Sequence, residues 1–176
     1  SGTFCRSYDL NPIAKATQIL CEKGFNNYHF LIAGEGDLPK NVLEEMNRSC
    51  HISLLGWLNQ QELNLCLNNC YAGLAPYASD ALMSLPNKFF EYLAYGLPII
   101  SSLDSEMRFL INKRKLGFNY YSKSPESLAS AIIKLNRKNE KDLINSIKKE
   151  FKVNFDGNKI YREFALFAKN TFEIHR

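Results

Sequence analysis

No apolar run in these 176 residues reaches the roughly 20 residues that a membrane-spanning helix needs, and Lys, Asn or Asp interrupts every hydrophobic segment. The opening residues, Ser1-Gly2-Thr3-Phe4-Cys5, have neither the basic leader nor the apolar stretch of a secretory signal. They also lack an initiating Met and begin on a strand-like triplet, so the chain is expected to be a piece cut at a domain boundary. Its five cysteines, Cys5, Cys21, Cys50, Cys66 and Cys70, are odd in number and widely scattered, which argues against a disulfide framework and for free thiols in a reducing compartment. Cys66 and Cys70 stand four apart on an expected helix, but His51 is the only further zinc ligand near them, so both read as small buried hydrophobes. His29, His51 and His175 are far apart and no Asp-x-Asp triplet occurs, so no metal site is expected. No basic segment is studded with aromatics, which sets nucleic acid aside as a partner.

What is present is an ordinary globular balance, 45% hydrophobic and 23% charged, in a length that suits one domain with a sizeable core. Much of the net charge of +4 lies between Lys134 and Lys152, where Arg137, Lys138, Lys141, Lys148 and Lys149 alternate with Glu140, Asp142 and Glu150. This reads as a solvated helical face, with weak attraction to an anionic membrane surface as the sharper alternative.

Short apolar strands alternate with amphipathic helices. Strands are expected at Gly2–Phe4, Tyr28–Ala33, His51–Leu55, Ala72–Pro76, Pro98–Ile100 and Gly117–Tyr120. A helix over Asn11–Lys23 places Ile13, Ala16, Thr17 and Leu20 on one stripe, and another follows over Leu38–Asn47. Asn59-Gln60-Gln61-Glu62 has the pattern of a capping box before a helix that buries Leu63 and Leu67 with Cys66 and Cys70. A short helix is expected over Glu106–Asn112. Another opens at Ser124-Pro125, with Leu128, Ala131, Ile132 and Leu135 on its apolar face, and a last one spans Ile160–Phe172. Strands separated by helices pair in parallel through right-handed crossovers, so the expected fold is α/β, a doubly wound Rossmann-like parallel sheet. Ligands of such sheets lie beyond the carboxyl ends of the strands, here the loops after Phe4, Ala33, Leu55 and Pro76. The dinucleotide fingerprint of an oxidoreductase is missing: Gly2-Thr3-Phe4-Cys5-Arg6-Ser7 does not fit it, and Gly34-Glu35-Gly36 lacks the third glycine.

The segment Ser84-Leu85-Pro86-Asn87-Lys88-Phe89-Phe90-Glu91-Tyr92 carries the functional argument. Pro86 suits the first helical position, and Leu85, the expected cap, offers no side-chain acceptor. The amides of Asn87, Lys88 and Phe89 are then free, and with the helix dipole they make an anion site. Ser84 and Lys88 add a hydroxyl and a positive charge. Glu91 shares a face with Asn87 and Lys88, where its carboxylate suits the paired hydroxyls of a ribose. Phe89, Phe90 and Leu93 anchor the other face, and Gly96 ends the helix. The plainer alternative is an amphipathic helix with a surface Lys88–Glu91 pair, worth only about 0.2–0.5 kcal/mol.

The run from Ser84 through Pro98-Ile99-Ile100 resembles the donor-binding signature of the retaining GT-B glycosyltransferases of family 4, the glycosyl transferases group 1. Gly2-Thr3-Phe4 is similar to that family's first glycine-bearing loop and Ile32-Ala33-Gly34-Glu35-Gly36 to its hydrophobic-G-x-G strand end. Leu54-Leu55-Gly56-Trp57-Leu58 is similar to the segment that meets the base, and Gly73-Leu74-Ala75-Pro76-Tyr77 to the strand before the signature. The likeness covers about residues 1–135. It implies the C-terminal half of a GT-B fold, a single nucleotide-sugar-binding domain over 1–176. The acceptor domain is missing, and the last helix, within 157–176, crosses to it and leaves Phe164, Phe167 and Phe172 partly exposed.

The resemblance also implies roles. Glu91 takes the place of the second acidic residue of an E-x7-E motif and binds the donor ribose. Met83 stands where the first acidic residue, near the donor sugar, is expected; Asp80 is the nearest carboxylate in that loop, and a Pro-x-Lys-x-x-Glu-Tyr form like this one occurs within the family. Arg6 matches the family's diphosphate-facing Arg. Lys15 falls too late to match its Lys, and Lys88 supplies that charge instead. Arg6 and Lys88 are thus the catalytic candidates, and Gly2, Gly34, Gly36, Trp57, Leu58, Tyr77, Ser84, Leu85, Pro86, Asn87 and Glu91 the donor-binding ones. The implied reaction is metal-free and cofactor-free transfer of a hexosyl group, with retention, from an NDP-sugar, UDP by default. The acceptor is a glycan or lipid-linked acceptor in surface polysaccharide synthesis, met through the missing domain. The enzyme is expected in the cytoplasm, peripheral to the inner face of the membrane, and the isolated piece inactive. A GT-B-fold sugar-nucleotide epimerase, a phosphorylase and a degenerate non-catalytic domain are the rivals.

Overall fold

The computed structural model describes residues 1–136 and 140–174. The expected positions Arg137, Lys138 and His175 lie outside them. The described elements run α1 (Asn11–Glu22), β1 (Phe30–Ala33), α2 (Lys40–Arg48), β2 (Ile52–Gly56), α3 (Gln60–Asn68), β3 (Gly73–Ala75), α4 (Asn87–Ala94), β4 (Ile99–Ser101), α5 (Glu106–Arg114), β5 (Gly117–Asn119), α6 (Pro125–Asn136), α7 (Glu140–Asn154) and α8 (Gly157–Ile174). Every strand pairing is parallel, as helix-connected strands require.

The expected stripe of α1 is buried: Ile13, Ala16, Thr17 and Leu20 face the core. The Thr17 hydroxyl is satisfied inside it, donating to the Ala14 carbonyl at 2.6 Å. The capping box opens α3 as its residues dictate. Asn59 Oδ1 accepts from the amides of Gln61 and Glu62, and Glu62 Oε2 accepts from the amide of Asn59 at 2.8 Å. Of the four residues expected to be buried on that helix only Leu67 is; Leu63, Cys66 and Cys70 are half-buried. Gly34 and Gly36 have φ of 135° and 144°. A Cβ at either would overlap the carbonyl of Gly2 or of Phe4, so the glycines admit a neighbouring backbone.

Two apolar clusters cover the two faces of the strands. One gathers α1, α2 and α6 around Ile32, Ile52 and Ile100, and the other gathers α4, α5 and α7 around Ala75 and Ile99. Neighbours Ile99 and Ile100 thus point to opposite clusters, the strand alternation that makes a sheet doubly wound. Arg114 of α5 pairs with Glu150 of α7 and lies over the ring of Phe155, which ties the basic helix to the second cluster.

The strands differ from the expected single sheet in one respect: they form a two-stranded sheet, β1-β2, and a three-stranded one, β3-β4-β5. The expected first strand, Gly2–Phe4, contributes only an isolated bridge from Phe4 to Gly36. Past it the chain turns, and Asp9 holds the turn in place. Its buried carboxylate accepts from the Ser122 hydroxyl at 3.0 Å, the Lys123 amide at 2.8 Å and Asn11 Nδ2 at 3.0 Å. Lys123 sits at φ 63°, a left-handed conformation that a non-glycine residue avoids unless held. Asp9→Ala leaves these donors unpaired and is expected to lower unfolding stability by about 2–3 kcal/mol, read from urea denaturation.

Candidate functional site

The loops that follow the strands meet around Gly2. On one side the Gly2 amide donates to Ala33 O at 3.0 Å and the Phe4 amide to Glu35 O at 2.7 Å, while the Gly34 amide donates to Gly56 O at 2.6 Å. These bonds set the Gly34–Gly36 loop against Gly2 and the Gly56-Trp57-Leu58 loop beyond it. Gly56 takes φ 65° to make that turn, leaving Trp57 64% exposed and Leu58 half-buried. On the other side, a Cβ at Gly2 would lie 3.5 Å from Lys88 Cε.

Helix α4 starts one residue later than expected. Pro86 is not its first helical residue but its N-cap, with φ −75° and ψ 157°, and no side chain caps the helix. The Pro86 carbonyl accepts from the Phe89 amide at 2.9 Å. Phe89 is therefore not one of the free donors; the amides of Asn87 and Lys88 are the ones without an intrahelical acceptor. What precedes the cap is fastened to α5. The Ser84 carbonyl accepts from the Ser105 hydroxyl at 2.6 Å and from the Met107 amide at 3.3 Å, and the Ser84 hydroxyl donates to Glu106 at 3.0 Å. Ser84 thus positions the helix start with a hydroxyl already engaged. Leu85 and Met83 pack partly buried against the second cluster, so the residue at the first acidic position of the resembled motif is an apolar anchor.

Lys88 lies 3.6 Å from Glu91 and donates to Ser1 Oγ at 3.0 Å, with only 12% of its side chain exposed. Burial lowers its pKa, against the opposing pull of Glu91. It also stands over the ring of Tyr92 at 5.7 Å. The Lys88–Glu91 pair is therefore not the exposed surface pair of the plainer alternative.

Tyr77 is buried and stacks on Tyr8 with ring centroids 5.2 Å apart; burial raises the pKa of both hydroxyls, which stay protonated donors. Tyr77 thus forms the floor beneath the loop rather than an exposed contact. Arg6 sits away from this cluster, extended into solvent and paired with Asp80 at 3.3 Å. Lys15 faces solvent on α1. His51 does not join Cys66 and Cys70; its ring stacks on Tyr28 and bonds the Tyr28 carbonyl at 3.1 Å.

Gly2, Lys88 and Glu91 are therefore together, Gly34, Gly36, Trp57 and Leu58 flank them, and Arg6 and Ser84 point elsewhere. The sequence reading missed Tyr8, Asp9 and the Ser105–Glu106 clamp. Only the last left a local signal, an Asp-Ser-Glu run that reads as a helix cap; indeed Ser105 caps α5 by accepting from the Met107 amide. The largely shielded positive charge, two free amides and a neighbouring carboxylate can hold a phosphorylated ligand that also presents paired hydroxyls.

The fold recurs in solved glycosyltransferases. WaaG, involved in lipopolysaccharide biosynthesis, superposes at a TM-score of 0.68 with 13% identity over 88% of this chain and 42% of its own. Anabaena HepE in complex with UDP gives 0.71 and 14% over 96% and 48%. Sucrose-phosphate synthase from Thermosynechococcus elongatus gives 0.73 and 14% over 98% and 45%. At such identities the likeness shows the fold alone, and the chain spans less than half the length of each. No curated relative matches the chain by sequence. A family model, glycosyl transferases group 1, matches residues 4–138. Its match takes in the Gly34–Gly36 and Gly56–Leu58 loops and helix α4 and covers well more than half of the chain, which makes this protein a member of the group 1 glycosyltransferase family.

Proposed function

We propose that the chain is the donor-binding domain of a retaining hexosyltransferase that takes its sugar from an NDP-sugar, UDP-linked by preference. The observation that carries this reading is the uncapped start of α4 with Lys88 and Glu91 beside the Gly2 backbone. The diphosphate lies on the amides of Asn87 and Lys88 and on the Lys88 ammonium. Arg6 leaves Asp80 to reach the leaving group, Glu91 takes the ribose hydroxyls, and the base lies against Gly56-Trp57-Leu58. Charge that develops on the departing diphosphate is met by fixed donors, each worth about 2.7–4 kcal/mol in such settings. HepE, which shares the fold, is seen with UDP and with UDP-glucose, which supports UDP as the base carrier.

The acceptor, a glycan or lipid-linked acceptor of surface polysaccharide synthesis, is met by a second domain. The outer face of α8, with Tyr161, Phe164 and Phe167 exposed, is the surface offered to that domain. The whole enzyme then works in the cytoplasm at the inner face of the membrane. Among the described residues no helix is long and apolar enough to cross it.

Calorimetric titration tests the reading. UDP or GDP is expected to bind and NAD not to; tight NAD binding overturns it, and no binding by any nucleotide favours a non-catalytic domain. The pH dependence has a definite sign. Diphosphate favours charged Lys88, so affinity is full below the pKa of Lys88 and falls as pH rises through it. Since burial has lowered that pKa, the fall begins below the 10.5 of an ordinary lysine. Lys88→Met is expected to flatten the profile and to weaken binding at neutral pH by about 1.5–3 kcal/mol, the worth of a charged hydrogen bond.

A further inference from the structure

Helices α4 and α5 start side by side. β3 and β4 are parallel neighbours in one sheet, so the loops that leave them open at the same end of it. The first loop leads to Pro86 and α4, the second to Ser105 and α5. One residue fastens them together. The Ser84 carbonyl accepts from the Ser105 hydroxyl and the Met107 amide, and the Ser84 hydroxyl donates to Glu106 Oε2 at 3.0 Å. Met107 is fully buried, so the first turn of α5 is anchored while Glu106, its first residue, stays exposed.

Glu106 differs from the acidic residues around it. Asp80 is paired with Arg6 at 3.3 Å, Asp104 with Arg108 at 2.9 Å and Glu91 with Lys88 at 3.6 Å. Among the described residues no cation pairs with Glu106, and its hydrogen-bond partner is the neutral Ser84 hydroxyl. The dipole of α5 favours an acid in the first turn. The same carboxylate, however, is held by a residue only three positions before the free amides of α4. A negative charge so close to the seat of a diphosphate repels the ligand, unless the ligand also brings donors to it.

The direction of the ligand says where those donors come from. Glu91 is the fifth residue of α4, and the free amides of Asn87 and Lys88 open the helix. A nucleotide with its ribose at Glu91 and its diphosphate on those amides runs toward the helix start. A group joined to the far phosphate then continues past Pro86, over Ser84. Met83 and Leu85 pack on the second cluster, and neither they nor Pro86 offers a polar side chain there. We propose that Glu106 is the carboxylate that holds the transferred hexose: Ser84 steadies one oxygen, and the other accepts from hydroxyls on neighbouring ring carbons. This rests on the nucleotide-sugar reading of the α4 start. An ionised carboxylate only accepts, through two oxygens, and so suits adjacent hydroxyls that both donate. Its charge makes those bonds the strong kind. Glu91 and Glu106 thus divide the donor, the first taking the nucleoside end and the second the sugar end.

Calorimetric titration tests this, with UDP and the UDP conjugates of glucose, galactose and N-acetylglucosamine, or with GDP and GDP-mannose where GDP is the base that binds. Glu106→Gln keeps the side-chain volume and an acceptor for Ser84 but removes the charge. Its affinity for the best-bound conjugate is expected to fall roughly 10-fold, while affinity for the bare nucleoside diphosphate stays within about twofold. Equal falls for both ligands overturn the proposal, since Glu106 then acts only by holding the start of α4 through Ser84. Unchanged affinity for both overturns it as well. Either of these results, with a wild-type protein that binds the conjugate, removes the role of Glu106 and leaves the nucleotide-sugar reading standing. A wild-type protein that binds none of the nucleotides overturns that reading and this one with it.

Discussion

Glu91→Ala is expected to weaken nucleoside diphosphate binding by roughly 30- to 150-fold, about 2–3 kcal/mol, the worth of charged hydrogen bonds to two ribose hydroxyls. Calorimetric titration at neutral pH reads the loss. The side chain is about one-third exposed and pairs with Lys88, so its removal is expected to leave the fold intact. Its secondary effect is on Lys88, which loses the carboxylate that raises its pKa; the pH at which affinity falls then moves lower still. A Glu91→Ala protein that binds with unchanged affinity but unfolds more easily would make the residue a structural partner of Lys88 and nothing more. The nucleoside monophosphate and the bare diphosphate separate the two parts of the site. Bare diphosphate affinity is expected to respond to Lys88→Met far more than to Glu91→Ala.

Phe89→Ala is expected to cost about 3–5 kcal/mol of unfolding stability, the range for emptying a large aromatic site in a core. Phe89 is fully buried in the first turn of the same helix and meets Phe90 and Phe155 edge-on, with ring centroids at 5.4 and 5.3 Å. That cluster is what fixes α4 beneath the site, so nucleotide affinity is expected to fall along with stability. Denaturant unfolding should show a lower midpoint at unchanged slope, since the change empties a cavity without altering the unfolded chain. Phe164→Ala on α8 makes the contrast. That ring is 66% exposed, and its loss is expected to stay within about 0.5 kcal/mol. An equally large loss there would mean that the outer face of α8 is covered in solution.

Much of the architecture was legible in the chain because it rests on near neighbours. The stripe of Ile13, Ala16, Thr17 and Leu20 follows from helical periodicity, and the Asn59–Glu62 box from residues three apart. The family likeness was legible for the same reason, since its signature is one continuous run from Ser84 to Ile100. Errors appear where a residue's role depends on a distant partner. Pro86 looks like a first helical residue, but the segment before it is pinned to Ser105 and Met107, some twenty residues on, and this leaves Pro86 extended as the cap. That Gly34 and Gly36 admit the approaching backbone of Gly2–Phe4 was likewise not legible locally, since the segments meet only in the fold.

The sequence by itself determined the alternation of strands and helices, the apolar faces, the free helix start at α4 and the family, all encoded in periodicity and short-range hydrogen bonding. Only the tertiary structure decided that Lys88 is shielded beside Gly2, that Arg6 is held by Asp80, that Tyr77 is a floor, and that the strands part into two sheets. Burial and strand pairing are set by contacts between segments tens of residues apart, and no local pattern carries them.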